Sequence, residues 1–523
     1  MYKWFLAQRY LYTKIIVVIP IIAVTLCVAM MIVVVSVMDG FLDMVKERSR
    51  GLLSDVIVDV PTLQGFPYYE EFQAELARQL PDVVDRTTPV IYNYGILRDP
   101  RVLYTKPVRV LGIRLDEYRR INTFGEGLHY ERFFPGTTTL SPQPRPVFGF
   151  NEEGEALLPA EYREANRVWR ESADPAEVAE FDQRPFDQTR ADRLFFAALD
   201  DQPGYEGPER HGVIIGADVI HDRLPDGRYQ RVFQKGRDMT LGILPMTSTG
   251  ALVGGQSASL VTLPVRYVDD SRTKVYEIDS VSVYVDFEWL QYSLMMDRQQ
   301  REDGSEIPAR CSQLLVSLKP GVDYNAARDR IATVWASFRD DLRLNPLSTE
   351  AQLLDLVDIQ TWEERQRPFI SAIEKEKVLM MVLLGLISFV SIAVVGCVFY
   401  MIVDKKTRDI GILKALGASA GGVAMTFILF AVVVGAVGSL LGAAGGSAFV
   451  YYINDIQDWL ASLNPALRVW SPDVYSFDTI PNVVKPLVAS SVIVIAVLAS
   501  VIGAAFPAGK AGLVWPAETL RYE

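Results

Sequence analysis

Four stretches of the chain are apolar for long enough to cross a lipid bilayer: Ile15 to Met38, Val378 to Val403, Gly421 to Tyr452 and Pro486 to Phe506. Each supplies about 20 or more mostly apolar residues, the number needed to span roughly 30 Å of hydrocarbon at the rise of an α-helix. None has an ionisable side chain at its centre. No water reaches that depth to satisfy backbone N–H and C=O groups, so these segments are expected to be helices. The pattern is one span, a long polar interval, then three spans close together.

Within the interval the periodicity changes. Short apolar runs predict strands over Asp55 to Val60, Val108 to Ile113, Gly212 to Ile215, Met239 to Ile243, Ser280 to Val285 and Gln313 to Leu318. Amphipathic spacing predicts helices over Glu70 to Leu80, ended by Pro81, and over Tyr324 to Phe338. From about residue 114 to residue 210 charge and proline dominate, which predicts an irregular insertion between two α/β lobes. Thr361 to Lys377 is polar and helix-prone and runs into the second span as a stalk. Residues 2–14 mix Trp4, Phe5, Tyr10 and Leu11 with Lys3, Arg9 and Lys14, as in a helix lying at a membrane surface. The expected fold is therefore an α-helical membrane protein of four transmembrane helices, one plus three, with a large mixed α/β extracytoplasmic domain. Its parts are an interfacial helix at 1–14, spans at 15–38, 378–403, 421–452 and 486–506, an outer domain at 39–376, a cytoplasmic segment at 404–420, an outer loop at 453–485 and a cytoplasmic tail at 507–523.

Charge sets the orientation, because Lys and Arg flanking a span stay on the cytoplasmic side. Lys3, Arg9 and Lys14 precede the first span, and Lys405, Lys406, Arg408 and Lys414 lie between the second and third. The link between the third and fourth is acidic, with Asp455, Asp458, Asp473 and Asp478. The large domain then lies outside and carries about −16 of a chain whose net charge is −12, the remainder of the chain being slightly basic. Such a charge disfavours nucleic acid and anionic lipid as ligands of that domain. The apolar run of the first span is longer than the usual hydrophobic region of a cleavable signal sequence, so the helix is expected to be retained, and the Leu26 before Cys27 does not suit lipoprotein processing. Cys27 and Cys397 read as span residues, which leaves Cys311 without an outer partner.

Chemistry is sparse. No glycine-rich phosphate loop ending in Lys-Ser or Lys-Thr occurs, so ATP is expected on another chain. His129, His211 and His221 show no metal-ligand spacing, and no G-x-S-x-G elbow is present. The segment Asp404 to Ala418, DKKTRDIGILKALGA, stands out. Its charged start, with Lys405, Lys406, Arg408 and Asp409, suits headgroups, while Ile410, Ile412, Leu413 and Leu416 form an apolar face on a short helix that also holds Lys414 and ends at Gly417. Read from the residues alone, it is either a partner-binding helix or a loop that only orients the protein. In the third span Gly438, Gly442 and Gly446 recur every four residues, a spacing for close helix packing within one subunit or across a dimer.

That same segment closely resembles the cytoplasmic coupling helix of the FtsX/MacB/LolC group of ABC permeases. Val33 to Phe41 (VVVSVMDGF), Phe5 to Leu11 (FLAQRYL), Gly212 to Ala217 (GVIIGA), Tyr276 to Ser280 (YEIDS), Trp362 with Ala372 to Lys377 (AIEKEK), and Pro516 to Glu523 (PAETLRYE) resemble, in order, segments of the lipoprotein-releasing LolC/LolE branch. The resemblance covers mainly residues 1–60 and 355–523, and the insertion at 114–210 departs from it. It implies a MacB-type periplasmic core in the outer domain and location in the inner membrane. It further implies a LolD-like cytoplasmic ATPase docked on the coupling helix and holding ATP and Mg, with no cofactor on this chain. A second permease subunit, identical or homologous, follows, with lipoproteins, an extracytoplasmic carrier and membrane lipid as the remaining partners. The expected role is a non-enzymatic transport subunit that releases lipoproteins from the outer leaflet. Its rivals are a MacB- or FtsX-like mechanotransmitter, a transmembrane ligand receptor, which lacks a cytoplasmic output module here, and an outer-face hydrolase, which lacks a nucleophile constellation.

Overall fold

The structure is a computed structural model that describes residues 17–143, 149–150, 156–157, 160–183, 208–223, 229–231, 233, 235–245, 260–273, 275–300, 304, 306–464 and 479–515. The segments expected at residues 2–14 and 516–523 lie outside these, as do Asp473 and Asp478. The described residues form two compact units, a helical unit divided from a sheet unit near Val45 and Pro368.

The helical unit is built on four helices, each long and apolar enough to cross a membrane. Span one runs Val18–Leu53, span two Trp362–Lys405, span three Ala420–Tyr451 and span four Pro486–Leu513. Span one continues well past its apolar run because DGFLDMVKERSRGLL contains good helix formers, and it stops only where Ser54 adopts φ 67°. Span two likewise starts before its apolar run, so the polar stalk and the span are one helix with Pro368 inside it. A short helix, Ile453–Leu463, follows span three and carries Asp455 and Asp458.

Small residues let these helices approach. A Cβ on Gly438 would lie 2.9 Å from Val24 Cβ, one on Gly442 2.6 Å from the Thr25 carbonyl, and one on Gly446 2.9 Å from the Ala29 carbonyl. The four-residue repeat of span three thus meets a matching repeat on span one, and packing inside this chain occupies all three glycines. Thr25 Oγ1 reaches across to the Gly438 carbonyl at 3.1 Å. On another face Gly435 lies against Ser500 of span four, and Gly503 of span four lies against the Ile392 carbonyl of span two. Val28, Ile32, Val395, Phe399, Phe430, Ala431, Val434 and Ala504 fill the interior.

The sheet unit holds one nine-stranded sheet. Its strands are β1 (Val56–Asp59), β2 (Val84–Asp99), β3 (Tyr104–Ile113), β4 (His211–Gly216), β5 (Asp238–Ile243), β6 (Val261–Ser271), β7 (Ser282–Asp286), β8 (Gln313–Leu318) and β9 (Asp358–Thr361), in the order β5-β6-β4-β7-β3-β2-β8-β1-β9. β4 runs parallel to β6 and β3 parallel to β7, while the other neighbours are antiparallel. β2 is long enough to serve two partners on one edge: residues from Val84 to Val90 pair with β8, and Gly95 to Arg98 pair with β5. That second pairing closes β5, β6, β4, β7, β3 and β2 into a six-stranded ring.

The two expected lobes are therefore one sheet, and the 16-residue β2 is what unites them. Its period-two signal is broken by Pro89, Asn93 and Gly95. Gly95 is required where β5 crosses closely, since a Cβ there would lie 2.5 Å from the Gly242 carbonyl. β6 escaped the pattern because Arg266, Asp269 and Asp270 are buried in it. The described part of the insertion is mostly helical, with helices Leu115–Ile121, His129–Phe133, Ala160–Ser172 and Pro175–Gln183, and it also holds a short antiparallel pair of Gly149–Phe150 with Ala156–Leu157. Phe133, Phe134, Tyr162, Trp169 and Phe181 pack ring to ring at centroid distances of 5.0 to 6.2 Å.

Beside this aromatic cluster the sheet buries charge. Asp269 accepts hydrogen bonds from the Tyr130 and Glu131 amides at 2.7 and 2.9 Å and from Thr138 Oγ1 at 2.7 Å, which fastens the insertion to β6. The Lys235 ammonium lies over the rings of Tyr130 and Tyr162, 5.0 and 4.7 Å from their centroids. Burial raises the Asp269 carboxyl above the usual range and lowers Lys235 to about 8, although Asp269, Glu131, Asp270 and Glu161 pull Lys235 back up. A lysine whose folded pKa lies below its unfolded value binds fewer protons folded than unfolded between the two, so stability rises with pH across that window. Relative to Lys235→Met, the wild-type chain is expected to gain about 2 kcal/mol of stability in this unit between pH 8 and pH 10. Hydrogen exchange of the Tyr130 and Tyr162 regions in both proteins checks this, and parallel pH curves would refute it.

Candidate functional site

Between spans two and three the chain forms a helix, Thr407–Ala415, here called the linking helix. Thr407 Oγ1 bonds back to the Val403 and Asp404 carbonyls at 3.0 and 2.7 Å, which turns the chain as span two ends. At its other end Gly417 takes φ +97°, a value side chains resist, and Ser419 caps span three by accepting from the Gly422 amide at 3.1 Å. Two tight turns thus hold the linking helix to the bundle.

Its faces differ from the sequence reading in two residues. Ile410 is only 3% exposed and packs with Val403, Val423, Phe427, Ala508 and Ala511, so it belongs to the bundle interior and not to an outward face. Gly411 is buried beside it. Lys414 also turns inward, donating to the carbonyls of Gly512 at 2.9 Å and Val514 at 2.6 Å. The outward apolar residues are Ile412, Leu413 and Leu416, with Leu416 82% exposed. Lys405, Arg408 and Asp409 are exposed around them, and Lys406 pairs with Asp409 at 2.5 Å. Three large aliphatic side chains held outward on a braced helix form an exposed apolar patch with a charged rim.

At the opposite end of the bundle, segments distant in sequence meet. Asp39 of VVVSVMDGF, 7% exposed, pairs with Lys377 of AIEKEK. Next to it a Cβ on Gly40 would lie 2.8 Å from Pro481 Cβ, and Asp43 pairs with Lys485 at 2.7 Å. Spans one, two and four are joined there by two ion pairs and one close contact. The exposed Asp43–Lys485 pair contributes little, whereas removing Lys377 would leave a buried carboxylate unpaired. We expect Lys377→Met to cost about 2–3 kcal/mol and Asp39→Asn with Lys377→Met to recover most of it, read as thermal midpoints of the full chain in detergent. Single and double variants melting alike would show that the pair is idle.

Between these ends a small, partly open crevice lies among spans one, two and four, lined by Val24, Cys27, Val28, Ser388, Ser391, Val395, Val492, Ala496 and Ser500, among others. Cys27 Sγ lies 3.1 Å from Ser388 Oγ at its edge.

In the sheet unit two other sequence segments prove to be neighbours. Gly216 of GVIIGA abuts Asp279 of YEIDS so closely that a Cβ would lie 2.2 Å from the Asp279 carbonyl. The Asp279 carboxylate accepts from Thr273 N and Oγ1 at 2.9 and 2.7 Å. Trp362 starts span two buried, its amide bonding the Asp55 carbonyl at 3.2 Å, and Arg365 pairs with Asp59. Desolvation raises Asp59. His211 stacks on Trp289 at 4.2 Å and is lowered by burial, and His221 lies 3.2 Å from Tyr267 Oη. Cys311 is buried, which raises its thiol well above the usual range. Among the described residues no three His, Cys, Asp or Glu side chains gather as a metal site requires.

Comparison with known proteins agrees with this geometry. Residues 381–512, spanning the linking helix and the apolar parts of spans two to four, match the family described as FtsX-like permease C-terminal. The chain is similar to the lipoprotein-releasing system transmembrane protein LolC of Xylella fastidiosa, at 28% identity over 165 residues, 32% of this chain and 40% of that one. It is similar to LolC of Neisseria meningitidis, at 29% over 177 residues, 34% and 42%, and of Haemophilus influenzae, at 33% over 166 residues, 32% and 39%. The matched region spans about two-fifths of the length of these relatives. Residues 381–512, with the braced linking helix among four apolar helices, thus form a region like the FtsX-like permease C-terminal family, and the chain resembles permeases of the LolC/LolE type.

Proposed function

We propose that this chain is the membrane permease subunit of an ABC transporter, coupling ATP hydrolysis on a separate cytoplasmic subunit to release of lipoproteins from the outer leaflet of the inner membrane. The observation that carries the coupling part is the exposed trio Ile412, Leu413 and Leu416 on a helix braced against three spans. An ATPase that closes on ATP would press on that patch, and the bundle would carry the displacement through the membrane. The similarity to LolC supports lipoproteins as cargo, and the basic residues around the linking helix support its cytoplasmic side. The sheet unit then lies outside as a MacB-type core, facing an extracytoplasmic carrier. ATP and Mg belong to a LolD-like partner, this chain binds no cofactor and catalyses no reaction, and a second copy or homologue of this chain completes the path.

A gentle-detergent pull-down of the tagged chain, with mass spectrometry and an ATPase assay of the eluate, tests the reading. Recovery of an ABC ATPase together with acylated lipoproteins is expected. Recovery of the ATPase with only soluble envelope proteins would replace release by mechanotransmission, and absence of any ATPase would overturn the assignment.

A further inference from the structure

We propose that Lys414 is a positioning residue that fastens the linking helix to span four, so that a displacement applied at Leu413 and Leu416 carries the end of span four with it. This inference rests on the reading that a partner docks at that patch. The linking helix is covalently continuous only with spans two and three, and nothing in the chain's connectivity attaches it to span four. Lys414 supplies the attachment. Its ammonium donates to the Gly512 and Val514 carbonyls at 2.9 and 2.6 Å, both at the C-terminal end of span four, where carbonyls have no intrahelical donors and the helix dipole favours a cation.

The surroundings make that attachment stiff. One turn earlier on the linking helix, Ile410 is buried against Ala508 and Ala511 of span four. Gly512 itself lies so close to the start of span three that a Cβ would be 2.9 Å from the Ala420 carbonyl. The neighbouring Leu413 is exposed, so the residue that receives force and the residue that passes it to span four are adjacent. A lysine serving only to hold this loop on the cytoplasmic side would extend toward headgroups or water, as Lys405 does. The carbonyls that Lys414 caps lie at the end of the span, where water can replace the lost donor, so the fold is expected to survive its removal.

The experiment uses the full chain with its ATPase in nanodiscs, with Cys27, Cys311 and Cys397 replaced by Ala and spin labels on the exposed positions of Ala415→Cys and Leu513→Cys. With Lys414 present, the label-to-label distance is expected to be a single narrow distribution that does not change when a non-hydrolysable ATP analogue is added. Lys414→Met is expected to broaden or split that distribution while the ATPase still co-purifies, and Lys414→Arg to restore it. A nucleotide-dependent distance with Lys414 in place would overturn the proposal, and so would a Lys414→Met distribution as narrow as the wild type. If Lys414→Met fails to assemble, the first arm still decides. If no ATPase binds the wild-type chain, the docking reading fails, while the comparison of the permease alone with and without Lys414 still judges the attachment.

Discussion

Leu413→Asp combined with Leu416→Asp is expected to abolish co-purification of the ATPase while the chain still inserts and stays folded. Both side chains face away from the bundle, at 37% and 82% exposure, so a carboxylate there meets water in the free permease and costs little. In the complex each carboxylate would be stripped of water against an apolar socket with no counter-charge. Buried interface anchors typically contribute about 2 kcal/mol or more each, so affinity should fall by roughly 10²- to 10⁴-fold. Ile410→Asp provides the contrast. That side chain lies inside the bundle, and the substitution is expected to lower thermal stability and yield before any docking is measured. An ATPase retained at wild-type level by the Leu413/Leu416 variant would place the interface elsewhere, whereas a Leu413/Leu416 variant that is itself unstable would show these residues to be part of the core.

The second large effect is expected at Gly442. A Cβ at this position would lie 2.6 Å from the Thr25 carbonyl and 2.8 Å from Val28 Cβ, and neither a helix backbone nor a β-branched side chain on span one can move aside cheaply. Gly442→Val should therefore force spans one and three apart along the whole line from Gly438 to Gly446. Forced overpacking of this kind costs typically about 1–3 kcal/mol, and the lost contacts at Gly438 and Gly446 add to it. The control is three residues away: Gly445 has no atom within 4 Å of its Cβ position, so Gly445→Val should be nearly silent. Thermal midpoints of the two variants in the same detergent make the comparison. Equal melting would mean that spans one and three do not pack at these glycines, and a destabilised Gly445→Val would mean that its face is covered.

The residues that matter at the two ends of the bundle were legible to different degrees. DKKTRDIGILKALGA could be picked out because a charged run followed by spaced aliphatics is unusual beside a span. A helical wheel does not say which aliphatic faces the protein, because on so short a helix the neighbours decide. Ile410 is claimed by Ala508 and Ala511 of span four, which lie about a hundred residues away in sequence. Lys414 reads as one more positive charge until span four's last carbonyls are seen beneath it. The same holds for Asp39 and Lys377, each plausible alone as a polar residue near a headgroup layer, but paired once spans one and two are side by side.

Properties that depend on composition and local period could be read along the chain: four apolar segments, their one-plus-three spacing, the short strands with clean alternation, and the motifs that resemble LolC. The bilayer enforces the first of these so strongly that length and polarity suffice. That β1 to β9 make one sheet emerges only in three dimensions, because β2 and β6 interrupt their alternation with Pro89, Gly95, Arg266 and Asp269, residues whose polarity is satisfied or whose smallness is required by other strands. The same is true of Gly438, Gly442 and Gly446, which are filled by span one, and of a lysine in the linking helix that belongs to span four. In each case the deciding term is a contact between residues far apart in the chain, and a pattern read along one strand of sequence carries no record of what will be packed across from it.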